Sequence, residues 1–318
     1  MSGPAADAHP ATQQAAAART QPKLGLYAMA LGTVTLWGAS FPLTKAALDY
    51  TGPTAIAFLR WIISSLFLVG WLALAGRRAP APGLKAMKEL LAARWRTVAW
   101  VALTGITLFY FLENLALRYT TATNAGVLSN LTSVFMVLIG AVLLRERLSR
   151  VEWLALVAAF SGSVLVSQGA GHLSLRGPGF IGDALMIVAT LFGAIYSIGG
   201  KGLSERYPAT VVTTAVSTAG ALFLLPLALI EGLRFDLPLA AWGAIVLLGI
   251  GAGALANLWW LALLAKTTAS RAALALFLIP VISATLSVTF LREPLTPLLV
   301  LGSVLVLAGV MLVQSRKS

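Results

Sequence analysis

The sequence contains no cysteine and only two histidines, His9 and His172, among 318 residues. Disulfides, thiolate metal sites and redox chemistry are excluded, and so is a histidine cluster or relay inside the apolar segments. Charge is also scarce: 11% of residues are Asp, Glu, Lys or Arg, whereas 58% are apolar. A water-facing surface needs more charge than that, so lipid is the expected solvent for most side chains. The net charge of +12 would suit nucleic acid. The basic residues gather, however, in connections on one side of the apolar segments, which points to a membrane and to no nucleic-acid partner. No phosphate-binding loop is present. Gly249, Gly251 and Gly253 lack the strand–turn–helix setting of one and read as a helix-packing run. No cofactor and no metal are expected.

What the sequence does have is length in its apolar runs, with a mean hydropathy of +0.88. Windows of about 20 residues give ten segments, near 25–45, 54–75, 98–117, 122–144, 151–168, 180–200, 209–230, 241–264, 270–291 and 296–314. The expected fold is an all-α membrane protein of ten transmembrane helices. Residues 1–23, rich in Ala, Gln and Thr, are expected to be a disordered cytoplasmic tail without the form of a signal peptide. With the N-terminus inside, 17 of the 23 basic residues fall in cytoplasmic segments and five on the opposite side. Both termini are therefore expected to be cytoplasmic.

The chain is also written twice. Thr120-Thr121-Ala122 and Arg145-Glu146 return 147 residues later as Thr267-Thr268-Ala269 and Arg292-Glu293. Upstream, Gly38-Ala39 and Pro53 return at a spacing of 155 as Gly193-Ala194 and Pro208. Over 116–148 against 263–295, eleven of 33 positions are identical, charges and threonines included. Five spans per copy would make the second copy, 171–318, cross the membrane inverted relative to the first, 24–170. Inverted repeats are a signature of secondary transporters, in which two halves rock around a central site.

The motif Leu36-Trp37-Gly38-Ala39-Ser40-Phe41, followed by Lys45, Pro53 and Phe58-Leu59-Arg60-Trp61, resembles the opening of a drug/metabolite transporter repeat. Ala116 to Thr120 and Arg145 to Leu148 resemble its closing half, as do Leu264 to Thr268 and Arg292 to Leu295. The pattern is similar to the EamA-type ten-helix exporters, which include exporters of aromatic amino acids. That resemblance implies that spans 1–4 and 6–9 enclose the pathway while spans five and ten are peripheral. The family usually has proline in span four. Here Ser133 stands there and Pro280 keeps the counterpart in span nine, leaving open whether the two spans bend alike.

Candidate substrate contacts are the polar and aromatic residues held inside these spans. Glu113 and Asn114 lie in span three, where a carboxylate costs about 2.5–3.5 kcal/mol on insertion scales. Glu113 would meet a substrate ammonium or a coupling proton, or else reach water or Arg118. Arg60 in span two would take a substrate carboxylate, or pair with Asp49, or snorkel. Trp37, Phe41, Tyr110, Tyr196, Trp259 and Trp260 would stack on an apolar substrate or simply pack. Asn130 and Ser133 share one helix face as cavity donors or interhelical glue. Gly38, Pro42 and Pro280 are candidate hinges. Lys45 and Lys201 read as anchors, and Asp183 as a helix-start charge. Together these imply a non-enzymatic, monomeric exporter or exchanger of small amphipathic metabolites, neutral and aromatic amino acids first, in the bacterial inner membrane. The alternatives are an importer or antiporter of nucleotide sugars or other anionic metabolites, and a non-transporting membrane scaffold. Because the chain lacks cysteine, single cysteines at positions 146 and 293 give clean labels. A membrane-impermeant maleimide is expected to reach the two from opposite sides, and labelling from one side would sink the inverted arrangement.

Overall fold

The computed structural model describes residues 23–75, 83–143, 149–169, 178–290, 292 and 295–315. The tail up to residue 22, the Arg145-Glu146 motif and Glu293 lie outside them. Among the described residues there is no strand, and the chain runs through ten helical stretches, counting an interrupted helix once. They are α1 (Lys23–Ala47), α2 (Pro53–Ala75), α3 (Leu84–Tyr119), α4 (Ala122–Leu143) and α5 (Arg150–Gly169). After a gap follow α6 (Pro178–Ser204), α7 (Ala209–Glu231), α8 (Leu239–Leu264), α9 (Ala269–Phe290) and α10 (Pro297–Ser315). Eight of these, all but α5 and α10, are long and apolar enough to cross a membrane.

Helix α3 starts earlier than the hydropathy pattern predicts, at residue 84 rather than near 98. Lys85, Lys88, Arg94 and Arg96, expected in a connection, belong to a helix whose charged side chains are exposed while Leu90 is buried. An apolar window misses such a segment because only one of its faces is apolar. The segment is set off from the span by a non-helical Arg94 (φ −140°, ψ 24°).

Four of the spans are interrupted. Helices α3 and α8 each contain a π-helical stretch, Leu103–Leu108 and Leu248–Leu255. Helices α4 and α9 each break into a turn, at Ser129–Asn130 and at Phe277–Leu278. Pro280 follows the second break and Ser133 the first, so the bend in α4 arises without proline. There Ser129 Oγ donates to the Gly126 carbonyl at 2.6 Å, a back-bond of the kind that bends helices.

Side chains from other helices satisfy the backbone groups that these breaks and the helix ends expose. Lys45, near the end of α1, donates to the carbonyls of Leu117 (2.5 Å) and Thr120 (2.9 Å) at the end of α3. Lys201 in α6 donates to Leu264 (2.9 Å) and Thr267 (2.8 Å) at the end of α8. The acceptors are 147 positions apart and the lysines 156, so the two clamps are copies of one another. Thr121 and Thr268, again one repeat apart, cap the next helices by accepting from the amides of Asn124 and Arg271. The lysines expected to anchor at the lipid surface thus hold helix C-termini. Helices α5 and α10 lie along one another at the edge, where Gly162 allows close approach. A Cβ there would come within 2.6 Å of the Gly302 carbonyl oxygen.

Replacing either lysine by methionine is expected to leave two carbonyls without their charged donor. Each change should lower stability by about 1–3 kcal/mol, read as a lower thermal unfolding midpoint of the purified protein in detergent.

Candidate functional site

A cavity opens at the centre of the bundle, bounded by α1, α3, α4, α6, α8 and α9. Its empty volume, mouth and adjoining open space included, is about 560 Å³. Among the described residues, helices α5 and α10 contribute nothing to its wall.

Five aromatic rings line it. Trp37 and Phe41 come from α1, Phe109 and Tyr110 from α3, and Tyr196 from α6. The polar contributions are Glu113, Asn257 and the hydroxyls of Ser40, Ser129, Thr132 and Ser197, while Leu276 and Ile279 close the apolar side. These lining positions recur at the spacing of the duplication. Tyr110 and Asn257, Ser129 and Leu276, and Thr132 and Ile279 are each 147 apart, and Phe41 and Tyr196 are 155 apart. In three of the four pairs one member is polar and the other apolar or aromatic, so the repeats supply the same positions with different chemistry.

The wall is braced by hydrogen bonds to the interrupted helices. Trp37 Nε1 donates to the Ala252 carbonyl at 3.1 Å, within the π-helical stretch of α8. Asn257 Nδ2 donates to Ala252 and Gly253 (2.9 and 3.0 Å), leaving its Oδ1 to accept from the Tyr196 hydroxyl at 2.9 Å. Trp260 Nε1 donates to Ser197 Oγ at 3.1 Å, and its ring meets Trp37 edge-on at 5.4 Å.

Charge enters from one side only. Glu113 faces the cavity and is 3% exposed. Behind it, fully buried in α2, lies Arg60, with Nη1 3.9 Å from Glu113 Oε1. The Arg60 guanidinium stacks over the Tyr110 ring at 4.3 Å, and its Nη2 reaches the Tyr110 hydroxyl at 3.5 Å. Trp61 meets Tyr110 edge-on at 5.0 Å. The partner of Arg60 is therefore Glu113 on the neighbouring helix, rather than Asp49 or a lipid headgroup. Glu113 in turn pairs with Arg60 rather than Arg118.

Of the candidate residues, Trp37, Phe41, Tyr110, Glu113 and Tyr196 line the cavity, and Arg60 and Trp260 stand directly behind it. Asn114 turns away to donate to the Pro53 carbonyl at 3.0 Å. Ser133 donates to the Ala273 carbonyl at 2.9 Å, and Asn130 is buried outside the lining. Their neighbours Ser129 and Thr132 line the cavity instead, one position earlier, because the break at Ser129–Asn130 resets which face of α4 points inward. Trp259 packs over Gly32. Gly38 packs against Ile282 beside the α9 break, Pro42 is buried within α1, and Pro280 is the second residue of the helical piece after that break. Asp183 is buried rather than a solvated helix-start charge, accepting from Thr120 Oγ1 (3.0 Å) and Asn124 Nδ2 (2.6 Å). Sequence reasoning passed over Asn257, Ser197 and Phe109. The repeat spacing applied to Tyr110 leads directly to Asn257.

A multi-pass bundle around a central cavity is the architecture of a membrane transporter. The EamA-like transporter family matches the chain twice, over residues 24–168 and 180–315. The chain belongs to that family. It is a multi-pass membrane protein, which in a bacterium means the inner membrane. An uncharacterized transporter of Archaeoglobus fulgidus is 32% identical over 90% of this chain and 97% of its own length. A protein described as a "Probable terminal-alkyne amino-acid exporter" from Streptantibioticus cattleyicolor is 27% identical over 89% of this chain and 91% of its own. A solved crystal structure superposes with a TM-score of 0.75 at 20% identity, covering 93% of this chain and 99% of that one, and so shares the fold.

Gly105 sits in the π-helical stretch of α3 directly against the Tyr196 ring, where any Cβ would fall on the ring atoms. Gly105→Ala is expected to displace Tyr196 from Asn257 and to destabilise the protein by about 1–3 kcal/mol. Thermal unfolding in detergent checks this, and an unchanged midpoint would contradict the packing described.

Proposed function

We propose that the protein exports or exchanges small amphipathic metabolites, neutral and aromatic amino acids first, by alternating access around the central cavity. The observation that carries this reading is the make-up of the wall: five aromatic rings and one carboxylate among the described residues, with Arg60 set behind them. Rings offer apolar area for a side chain, and a carboxylate offers a counter-charge for an ammonium group. The name of the Streptantibioticus cattleyicolor relative lends support to an amino-acid cargo.

Alternating access rests on the duplication. Matched clamps at Lys45 and Lys201, matched breaks in α4 and α9 and matched π-helical stretches in α3 and α8 are what two rocking halves would need. We read ten spanning helices in two inverted sets of five, with both termini cytoplasmic. Uptake of nucleotide sugars or other anions fits less well, since no basic side chain lines the cavity among the described residues.

Reconstitution into liposomes with a panel of labelled amino acids, sugars and nucleotide sugars tests the reading. Exchange of phenylalanine, tyrosine or leucine is expected, slowed at least about tenfold by Glu113→Gln if the carboxylate contacts the cargo. Uptake of anionic sugars alone would replace it, and no transport of any solute would favour a scaffold.

A further inference from the structure

We propose that Arg60 and Glu113 form a charge pair that opens around its cargo and selects zwitterions: the substrate ammonium docks on Glu113 and its carboxylate on Arg60. The inference rests on the amino-acid reading above and adds the groups that would set its specificity.

The pair is close but badly made. Charge-assisted hydrogen bonds run to about 2.7–2.9 Å, whereas Arg60 and Glu113 stand 3.9 Å apart. Arg60 Nε and Nη1 are buried and have no hydrogen-bond acceptor. Its remaining polar contact is the long one to Tyr110, and the ring stack under the guanidinium satisfies charge without using a donor. Glu113 receives no hydrogen bond from any described residue and faces the cavity. A buried pair contributes to stability only when its geometry is good and its remaining donors and acceptors are filled. Two donors and a carboxylate are therefore held ready, the carboxylate at the cavity and the guanidinium stacked over the Tyr110 ring behind it.

Charge balance decides which ligand can complete them. The pair is neutral as a unit, and a zwitterion is neutral too, so head-to-tail docking gives every charge an opposite neighbour. An amine without a carboxylate would occupy Glu113 and strand the guanidinium. A carboxylate without an amine would strand Glu113. Stranding a charge in a low-dielectric interior is costly, so both analogues are rejected by what they leave behind. For the carboxylate to reach Arg60, Tyr110 must turn aside from its place in the cavity wall, where its ring packs against Trp61 and Phe109. Arg60 corresponds to Ala215 and Glu113 to Trp260 in the second half, so neither charge belongs to the duplicated framework.

Three probes of one shape separate the possibilities: phenylalanine, phenethylamine and 3-phenylpropanoate. Their affinities are measured by thermal-shift titration of the whole protein in detergent, alongside phenylalanine exchange in liposomes. Wild type is expected to bind phenylalanine at least about tenfold more tightly than either analogue. Glu113→Gln should favour 3-phenylpropanoate over phenethylamine, and Arg60→Gln should reverse that order. Should Arg60→Gln fail to fold, the neutral double variant Arg60→Gln/Glu113→Gln decides together with Glu113→Gln. It should lose the preference for phenylalanine while still binding all three through the rings. Equal weakening of all three probes in every variant would overturn the selecting role yet leave amino-acid transport standing. Failure of wild type to bind or exchange phenylalanine would remove the proposed function and this inference with it.

Discussion

A backbone carbonyl or amide inside lipid must find a partner, because no water is there to serve it. That constraint organises the bundle. Continuous helices meet it by themselves, but α3, α4, α8 and α9 are interrupted, and each interruption frees backbone groups at depth. Partners arrive from elsewhere in the chain. Trp37 and Asn257 serve Ala252, and Ser133 serves Ala273. Ser283 serves Ala122, and the two lysines serve the ends of α3 and α8. Three of these bonds, from Trp37, Ser133 and Ser283, cross between the two copies of the repeat, so the halves are joined in part through the exceptions to helical geometry.

The cavity is a consequence of the same exceptions. A π-helical stretch is wider than an α-helical turn and is common at functional sites. In α3 it brings Gly105 against Tyr196, and in α8 it lets Asn257 fold back on its own helix with its oxygen turned to Tyr196. The breaks in α4 and α9 bring Ser129, Thr132, Leu276 and Ile279 to the opposite wall. Polar side chains at the centre thus divide into two groups. Asn114, Ser133 and Trp260 spend their hydrogen bonds on the protein, whereas Glu113 faces the cavity with none received.

The helical class, most span limits, the duplication and the family were legible in the residues, since each rests on patterns that recur along one dimension. Residues 84–96 were not, because an amphipathic helix ahead of a span looks like a basic connection to an apolar window. Trp37, Phe41, Tyr110, Glu113 and Tyr196, singled out as polar or aromatic residues inside the spans, line the cavity. Asn130 and Ser133 fell one position off, because periodicity assumes an unbroken helix and α4 breaks at Ser129–Asn130 itself. Pairing Arg60 with Glu113 lay beyond any periodic pattern, being 53 positions apart on different helices.

The duplication itself sorts framework from chemistry. The lysine clamps, the threonine caps and the interruptions occur in both copies, and all of them act on backbone. What differs between the copies is what faces or backs the cavity: Arg60 against Ala215, Glu113 against Trp260, Tyr110 against Asn257. A shared framework with unlike linings leaves a site that is chemically one-sided, since its carboxylate, Glu113, comes from the first copy. Rings line the cavity from both copies, Phe109 and Tyr110 beside Glu113 on α3 and Tyr196 on α6, so it is the charge rather than the aromatic surface that distinguishes its sides.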